Sequence, residues 1–128
     1  MKLLLDAHSL IWFLTDDPKL SARAASVLDD ASHPRWTSAA SLWEIAIKVG
    51  LNKLHLGDSF DRLFPEFLER NNIGVLGVEL PHLSRLLALP NIYKDPFDRL
   101  VVAQAIVENL TLVTCDREIT KYPVATLW

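Results

Sequence analysis

The stretch Met1-Lys-Leu-Leu-Leu-Asp6-Ala-His-Ser-Leu10-Ile-Trp-Phe-Leu14 carries the main structural signal of the chain. A three-leucine run that stops at Asp6 reads as a short strand buried on both faces. Leu10, Ile11, Phe13 and Leu14 then recur at helical spacing until Asp16-Asp17-Pro18 ends the helix.

The same alternation continues outward. Ser21 is a candidate N-cap for a helix reaching about Ala31, and Arg35-Trp-Thr-Ser38 reads as a second strand. Between Ser38 and Gly50 the alanines, Leu42, Trp43, Ile45, Ile47 and Val49 predict an apolar, largely buried helix with Gly50 as its stop. Phe60, Leu63, Phe64, Phe67 and Leu68 predict a helix over 58–70, Gly74 to Glu79 a third strand, and Pro81 the opening of a helix through Leu87. After the polar connection Asn91 to Lys94, Asp95-Pro96 opens a helix to about Asn109. Leu110 to Thr114 is a strand, Cys115-Asp116 a turn, and a short helix precedes a last strand at Val124 to Trp128. Strands alternating with helices predict an α/β sandwich with a mainly parallel central sheet, as one domain over residues 1–128.

The 128 residues are half hydrophobic, with 13 Lys plus Arg against 16 Asp plus Glu, a formal charge of −3. That composition excludes a disordered or collagen-like chain, and its mild acidity argues against gripping a duplex by bulk charge. The single Cys115 rules out an intrachain disulfide and fits a reducing cytoplasm. Asp6 interrupts the only leader-like run, so Met1 reads as the start of the fold, and no apolar run approaches a membrane span.

In open parallel sheets, ligands bind beyond the carboxyl ends of the strands. Asp6 follows the first strand directly, and Asp116 follows the Leu110 to Thr114 strand after one intervening residue. Glu44 and Asp98 stand near the beginnings of the two most apolar helices. Each acid taken singly has an ordinary explanation. Asp6 and Asp116 suit helix caps, Asp98 suits the dipole of a helix N-terminus, and Ser41-Leu-Trp-Glu44 matches a capping box. Glu44 is the hardest to explain that way, because its neighbours are apolar and a lone buried carboxylate is costly.

Taken together, the acids need a stronger reason. Two carboxylates about 5 Å apart repel by roughly 3 kcal/mol at an effective dielectric of about 20. A divalent cation reverses that sign, and oxygen ligands without His or Cys suit Mg²⁺ or Mn²⁺ rather than zinc. Such ions also take phosphate oxygens, so a pocket of this kind suits phosphodiester cleavage.

Four segments bear a family resemblance: Leu3-Leu-Leu-Asp6-Ala-His8-Ser-Leu10, Ser38-Ala-Ala-Ser-Leu-Trp-Glu44-Ile, Asp95-Pro-Phe-Asp98-Arg-Leu-Val-Val-Ala-Gln-Ala105 and Leu112-Val-Thr114-Cys-Asp116-Arg. In order and extent they resemble the four acidic motifs of PIN-domain proteins, and among these the small VapC-type toxins of toxin–antitoxin pairs. The resemblance implies a PIN-like three-layer sandwich and an Mg²⁺- or Mn²⁺-dependent endoribonuclease, with Asp6, Glu44, Asp98 and Asp116 as metal-binding catalytic acids. It further implies an RNA substrate, a cognate antitoxin seated in a groove, and a homodimer. Ala7 departs from the pattern, since many relatives carry Thr or Ser there.

Other residues draw weaker readings. Asp95 is favoured as an N-cap before Pro96, and Thr114 stands either as a hydrogen-bond donor to a ligating carboxylate or as an ordinary strand residue. Lys94, Arg99, Arg117 and Lys121 lie beside the acidic motifs as candidate phosphate contacts, with solvated charge the simpler reading for each. His8 is near enough to Asp6 in sequence to approach the pocket; His33, His55 and His82 read as surface or turn residues. Cys115 has no histidine partner in view, and Trp12, Trp36, Trp43, Trp128, Phe60, Phe64 and Phe67 read as core. The competing functional readings are a catalytically silent PIN-like binding module and a phosphoacceptor receiver domain. The latter expects paired acids after the first strand, where this chain has only Asp6.

Overall fold

The computed structural model describes all residues, Met1–Trp128. In chain order the elements are β1 (Leu3–Leu5), α1 (Ala7–Leu14), α2 (Ala22–Asp29), β2 (Arg35–Ser38), α3 (Ala39–Gly50), α4 (Phe60–Arg70), β3 (Ile73–Leu76), α5 (Leu80–Ala88), α6 (Pro96–Val107), β4 (Thr111–Val113), a 3₁₀ turn (Ile119–Lys121) and β5 (Thr126–Leu127). The five strands form one sheet in the order β3-β2-β1-β4-β5, and every pairing is parallel.

The leucine run behaves as a central parallel strand must. Leu3, Leu4 and Leu5 have no exposed surface, and successive side chains point to opposite faces. Leu3 and Leu5 join Leu10, Ala24, Leu28, Ile45 and Phe64 in one core, so α1 to α4 cover that face. Leu4 joins Leu112, Val101, Val102 and Ala105 in the second core, under α5 and α6. Each fully buried leucine contributes about 2 kcal/mol of burial, so β1 ties the three layers together.

Several helices end through a device that glycine counting misses. Asp16, Asn52, Asn72 and Asn109 adopt positive φ, between 52° and 56°, one residue beyond the C-caps of α1, α3, α4 and α6. Their short polar side chains tolerate the left-handed region better than other non-glycine residues do. Gly50, expected as the stop of α3, is instead its last helical residue, and Asn52 makes the turn.

Other expectations shift for packing reasons. The third strand spans Ile73–Leu76 rather than Gly74 to Glu79, because Gly77 to Glu79 leave the sheet to start α5. Gly74 pairs with Trp36 across the sheet, and a Cβ there would lie 2.7 Å from the indole ring, so the position is shaped by that tryptophan. The last strand shortens to Thr126–Leu127. α3 buries only Ala40, Ser41 and Ile45, while Trp43 and Ile47 face outward; Trp43 is 63% exposed and is not core. His82 is wholly buried, contrary to its surface reading. Its Nδ1 accepts the Glu79 N–H at 3.0 Å, which puts the proton of the neutral ring on Nε2, 3.0 Å from Glu108 Oε1.

Candidate metal centre

The strand order reverses at β1, because the chain moves outward through β2 and β3 and then returns to place β4 on the other side. A crevice forms at the carboxyl ends of β1 and β4 in such a sheet. Asp6 leaves β1 there, and Asp116 follows β4.

Asp6 is buried and caps α1, its Oδ1 accepting the Ser9 N–H at 2.8 Å. Ser9 in turn donates its hydroxyl to the Val113 carbonyl at 2.8 Å, and the Asp6 N–H donates to the same carbonyl. The first turn of α1 is thereby tied to the end of β4. Capping occupies one carboxylate oxygen and leaves the other free of protein donors, so a cap and a ligand role are compatible.

Asp95 caps α6 as expected, accepting the N–H groups of Phe97 at 2.9 Å and Asp98 at 3.2 Å. Asp98 therefore sits in the first helical turn, half-buried. The helix dipole alone would lower its pKa. Instead its carboxyl is pushed from 3.8 up to about 7, chiefly by burial and then by the charges of Asp95, Glu44, Asp6 and Asp116. The fold thus brings the other three candidate acids, with Asp95, into electrostatic reach of the Asp98 carboxyl.

Glu44 projects from α3 with its side chain only 12% exposed, and Lys48 Nζ lies 3.0 Å from its Oε2. Asp116 accepts the Glu118 N–H on Oδ1 at 2.9 Å. Two braces fix α3 against α6, one on each flank of the acids they carry. Trp43 and Phe97, each one residue before an acid, meet edge to face with centroids 5.2 Å apart. Deeper in, the Ser38 hydroxyl, which caps α3, donates to Gln104 Oε1 at 2.5 Å, and Gln104 Nε2 donates to the Gly77 carbonyl at 3.1 Å.

The remaining candidates divide clearly. Thr114 is buried, but its hydroxyl accepts the Asp116 backbone N–H rather than serving a carboxylate. His8 is exposed and packs on Trp12 at 5.5 Å. Arg99 does not face outward as a phosphate contact; its guanidinium donates to the Pro90 and Leu86 carbonyls and to the Tyr122 hydroxyl. Lys121 pairs with Glu118, while Lys94 and Arg117 are exposed and unpaired. Burial and the charges of Asp6 and Asp116 raise the Cys115 thiol pKa, the opposite of an activated nucleophile.

Two neighbours of the acids were not singled out from sequence. Tyr93 has its phenol pKa raised, foremost by the charge of Asp116, and its backbone N–H is held by the Tyr122 hydroxyl at 2.8 Å. No spacing rule flags a loop tyrosine. Lys48 was legible in principle, since Glu44 and Lys48 stand at i and i+4 on one helix.

The donor set is all oxygen, which suits a hard divalent cation. No three His, Cys, Asp or Glu side chains close into a ready-made cage. Their charges nevertheless act together on Asp98. Oxygen donors of this kind are those that Mg²⁺, which retains water and engages few protein ligands, would take.

The PIN domain family matches residues 3–125. The chain belongs to the PIN domain family. Ribonuclease VapC22 of Mycobacterium tuberculosis is 28% identical over 120 residues, 93% of this chain and 90% of that protein. Among solved structures, VapBC2 from Rickettsia felis bound to a promoter DNA fragment is similar at TM-score 0.76 and 18% identity, over 99% of this chain and 98% of that one. FitAcB from Neisseria gonorrhoeae reaches TM-score 0.70 and 19% identity, over 98% and 96%. The strand order, with Glu44 on a helix, removes the receiver-domain reading.

Proposed function

We propose that this PIN domain is an Mg²⁺- or Mn²⁺-dependent endoribonuclease, the toxin of a toxin–antitoxin pair, acting in the cytoplasm. The observation that carries the reading is the PIN domain match over residues 3–125 together with Asp6 and Asp116 leaving β1 and β4 at the reversal point of the sheet; the raised pKa of the half-buried Asp98 carboxyl agrees with it. A protein that used these acids only as helix caps would gain nothing by bringing their charges within reach of one another. The similarity to a ribonuclease over 93% of the chain supports the reaction class.

In this reading Asp6, Glu44, Asp98 and Asp116 hold the cation, which when bound supplies an activated water and charge stabilisation at phosphorus. Asp6 is fixed by Ser9 and by the end of β4, while the Trp43–Phe97 and Ser38–Gln104 contacts hold α3 and α6 at a set separation. That rigidity holds α3 and α6, which carry Glu44 and Asp98, packed on one another. Lys94 and Arg117, exposed beside the acids, contact backbone phosphates of the RNA without reading its sequence. The homology to a VapC protein and the structural likeness to VapBC and FitAcB complexes support an antitoxin partner. The exposed apolar residues Trp43, Leu80, Leu83 and Leu87 supply surface for that partner and for a second copy of the chain.

The test is RNA cleavage by purified, antitoxin-free protein. Cleavage is expected with Mg²⁺ or Mn²⁺ and lost on adding EDTA, in Asp6→Asn and in Asp98→Asn, while circular dichroism shows both variants folded. Cleavage that persists in both folded variants overturns the assigned roles. RNA binding without cleavage under every metal condition favours the silent-module reading.

A further inference from the structure

Of the ion pairs in the molecule, one reaches the acidic crevice: Lys48 with Glu44, at 3.0 Å. The others lie on outer surfaces or at His82. The other crevice acids that bond within the protein are held by backbone N–H groups, Asp6 by Ser9, Asp95 by Phe97 and Asp98, and Asp116 by Glu118. Those donors hold carboxylates in place without cancelling a full charge. Lys48 is different in kind, because it brings a whole positive charge to the most solvent-shielded oxygen pair on α3. Its own side chain is 37% exposed against 12% for Glu44, so the ammonium stands at the rim with water on its far side.

An ordinary i, i+4 pair on a helix surface links two hydrated side chains and contributes a few tenths of a kcal/mol. Glu44 is not hydrated in that sense. It lies within electrostatic reach of Asp98, so its charge opposes another carboxylate when no cation is present. Lys48 relieves that opposition, and a dication arriving at Glu44 meets an ammonium already there.

We propose that Lys48 is a displaceable counter-ion of the metal crevice, so that loading a divalent cation is an exchange in which the ammonium gives up Glu44. This rests on the metal-binding reading of Glu44 and Asp98 above. Lys48 is then a positioning residue that sets metal affinity. It holds the Glu44 side chain in place before the cation binds, and it weakens binding by its charge. A unit charge about 6 Å from the cation, at the dielectric and salt of a half-exposed site, changes the dissociation constant by about tenfold.

The experiment titrates Mn²⁺ into the full-length protein and reads free Mn²⁺ by electron paramagnetic resonance, with no substrate present. Lys48→Gln is expected to bind Mn²⁺ about tenfold more tightly than wild type, and Lys48→Arg about as wild type. Lys53→Gln removes the same net charge from an exposed site beyond the end of α3 and is expected to change affinity less than twofold. In wild type, saturating Mg²⁺ should shift the ¹⁵N resonance of the Lys48 ammonium and leave that of Lys53 in place. Equal or weaker binding by Lys48→Gln, an equal gain in Lys53→Gln, or an unmoved Lys48 resonance overturns the exchange. If wild type binds no Mn²⁺, or Asp98→Asn binds it as well as wild type does, the metal-site reading itself falls and the proposal with it. Tight wild-type binding that needs Asp98 but ignores Lys48 overturns the proposal alone.

Discussion

Asp98→Asn should stabilise the metal-free protein while abolishing cleavage, and the size of the gain follows from the site. The native carboxyl titrates near 7, against 3.8 for an unperturbed aspartate. At about 1.4 kcal/mol per tenfold change in proton affinity, that difference corresponds to roughly 4 kcal/mol. Asp98 is only half-buried, and solvent screening reduces the figure to about 2 kcal/mol. Because the folded-state value is raised, the stability associated with this proton is fully present below about 3.8 and is lost as pH rises through about 7. Asparagine remains neutral throughout. Urea unfolding in EDTA should therefore give equal stabilities near pH 4 and an advantage of about 2 kcal/mol for the variant at pH 8.5, about 7 °C in Tm for a chain of this length. A variant no more stable than wild type at pH 8.5 would show that the acids do not oppose one another in the folded protein.

Further outcomes follow from other parts of the molecule. Gln104→Leu strips partners from the Ser38 hydroxyl and the Gly77 carbonyl and should cost about 1–3 kcal/mol in urea unfolding. Gly74→Ala drives a methyl into the Trp36 ring and should cost about 1–3 kcal/mol, with a change in tryptophan fluorescence. Asn109→Val places a β-branched residue at φ 55° and should lower Tm, whereas Asn109→Gly should leave it near wild type. Saturating Mg²⁺ should raise the Tm of wild type by several degrees and that of Asp98→Asn by much less, measured by calorimetry.

The parts of this account legible in sequence are those where one residue type has one physical outlet. Leu3 to Leu5 can only be a strand buried on both faces, and Asp6, placed at its end, can only stand at the sheet edge. Asp95 before Pro96 is a cap by chemistry, and it caps. Glu44, Asp98 and Asp116 each suit a cap or a dipole role singly, and what points beyond that is the repulsion they would share at one sheet edge.

Residues whose role depends on which face meets another layer were not legible. Trp43 reads as core from its hydrophobicity, yet α3 buries its other side, and the indole serves as an outer brace against Phe97. His82 reads as a turn residue, yet its ring sits wholly buried against the N-terminal end of α5. Arg99 reads as solvated charge, or else as a phosphate contact beside Asp98, but the loop at Pro90 and the Tyr122 hydroxyl turn it inward. Gly50 is the obvious helix stop by composition, but Asn52 does that work because asparagine also tolerates positive φ.

The central claim is that these carboxylates share a cavity and a cation, and ¹³C NMR titration of the Asp98 carboxyl reads both at once. Without metal it should titrate near 7, as its burial and its neighbours require. With saturating Mg²⁺ the midpoint should fall by about 2 or more pH units, because a bound dication favours the ionised form. A carboxyl that titrates near 4 in both conditions would contradict the account.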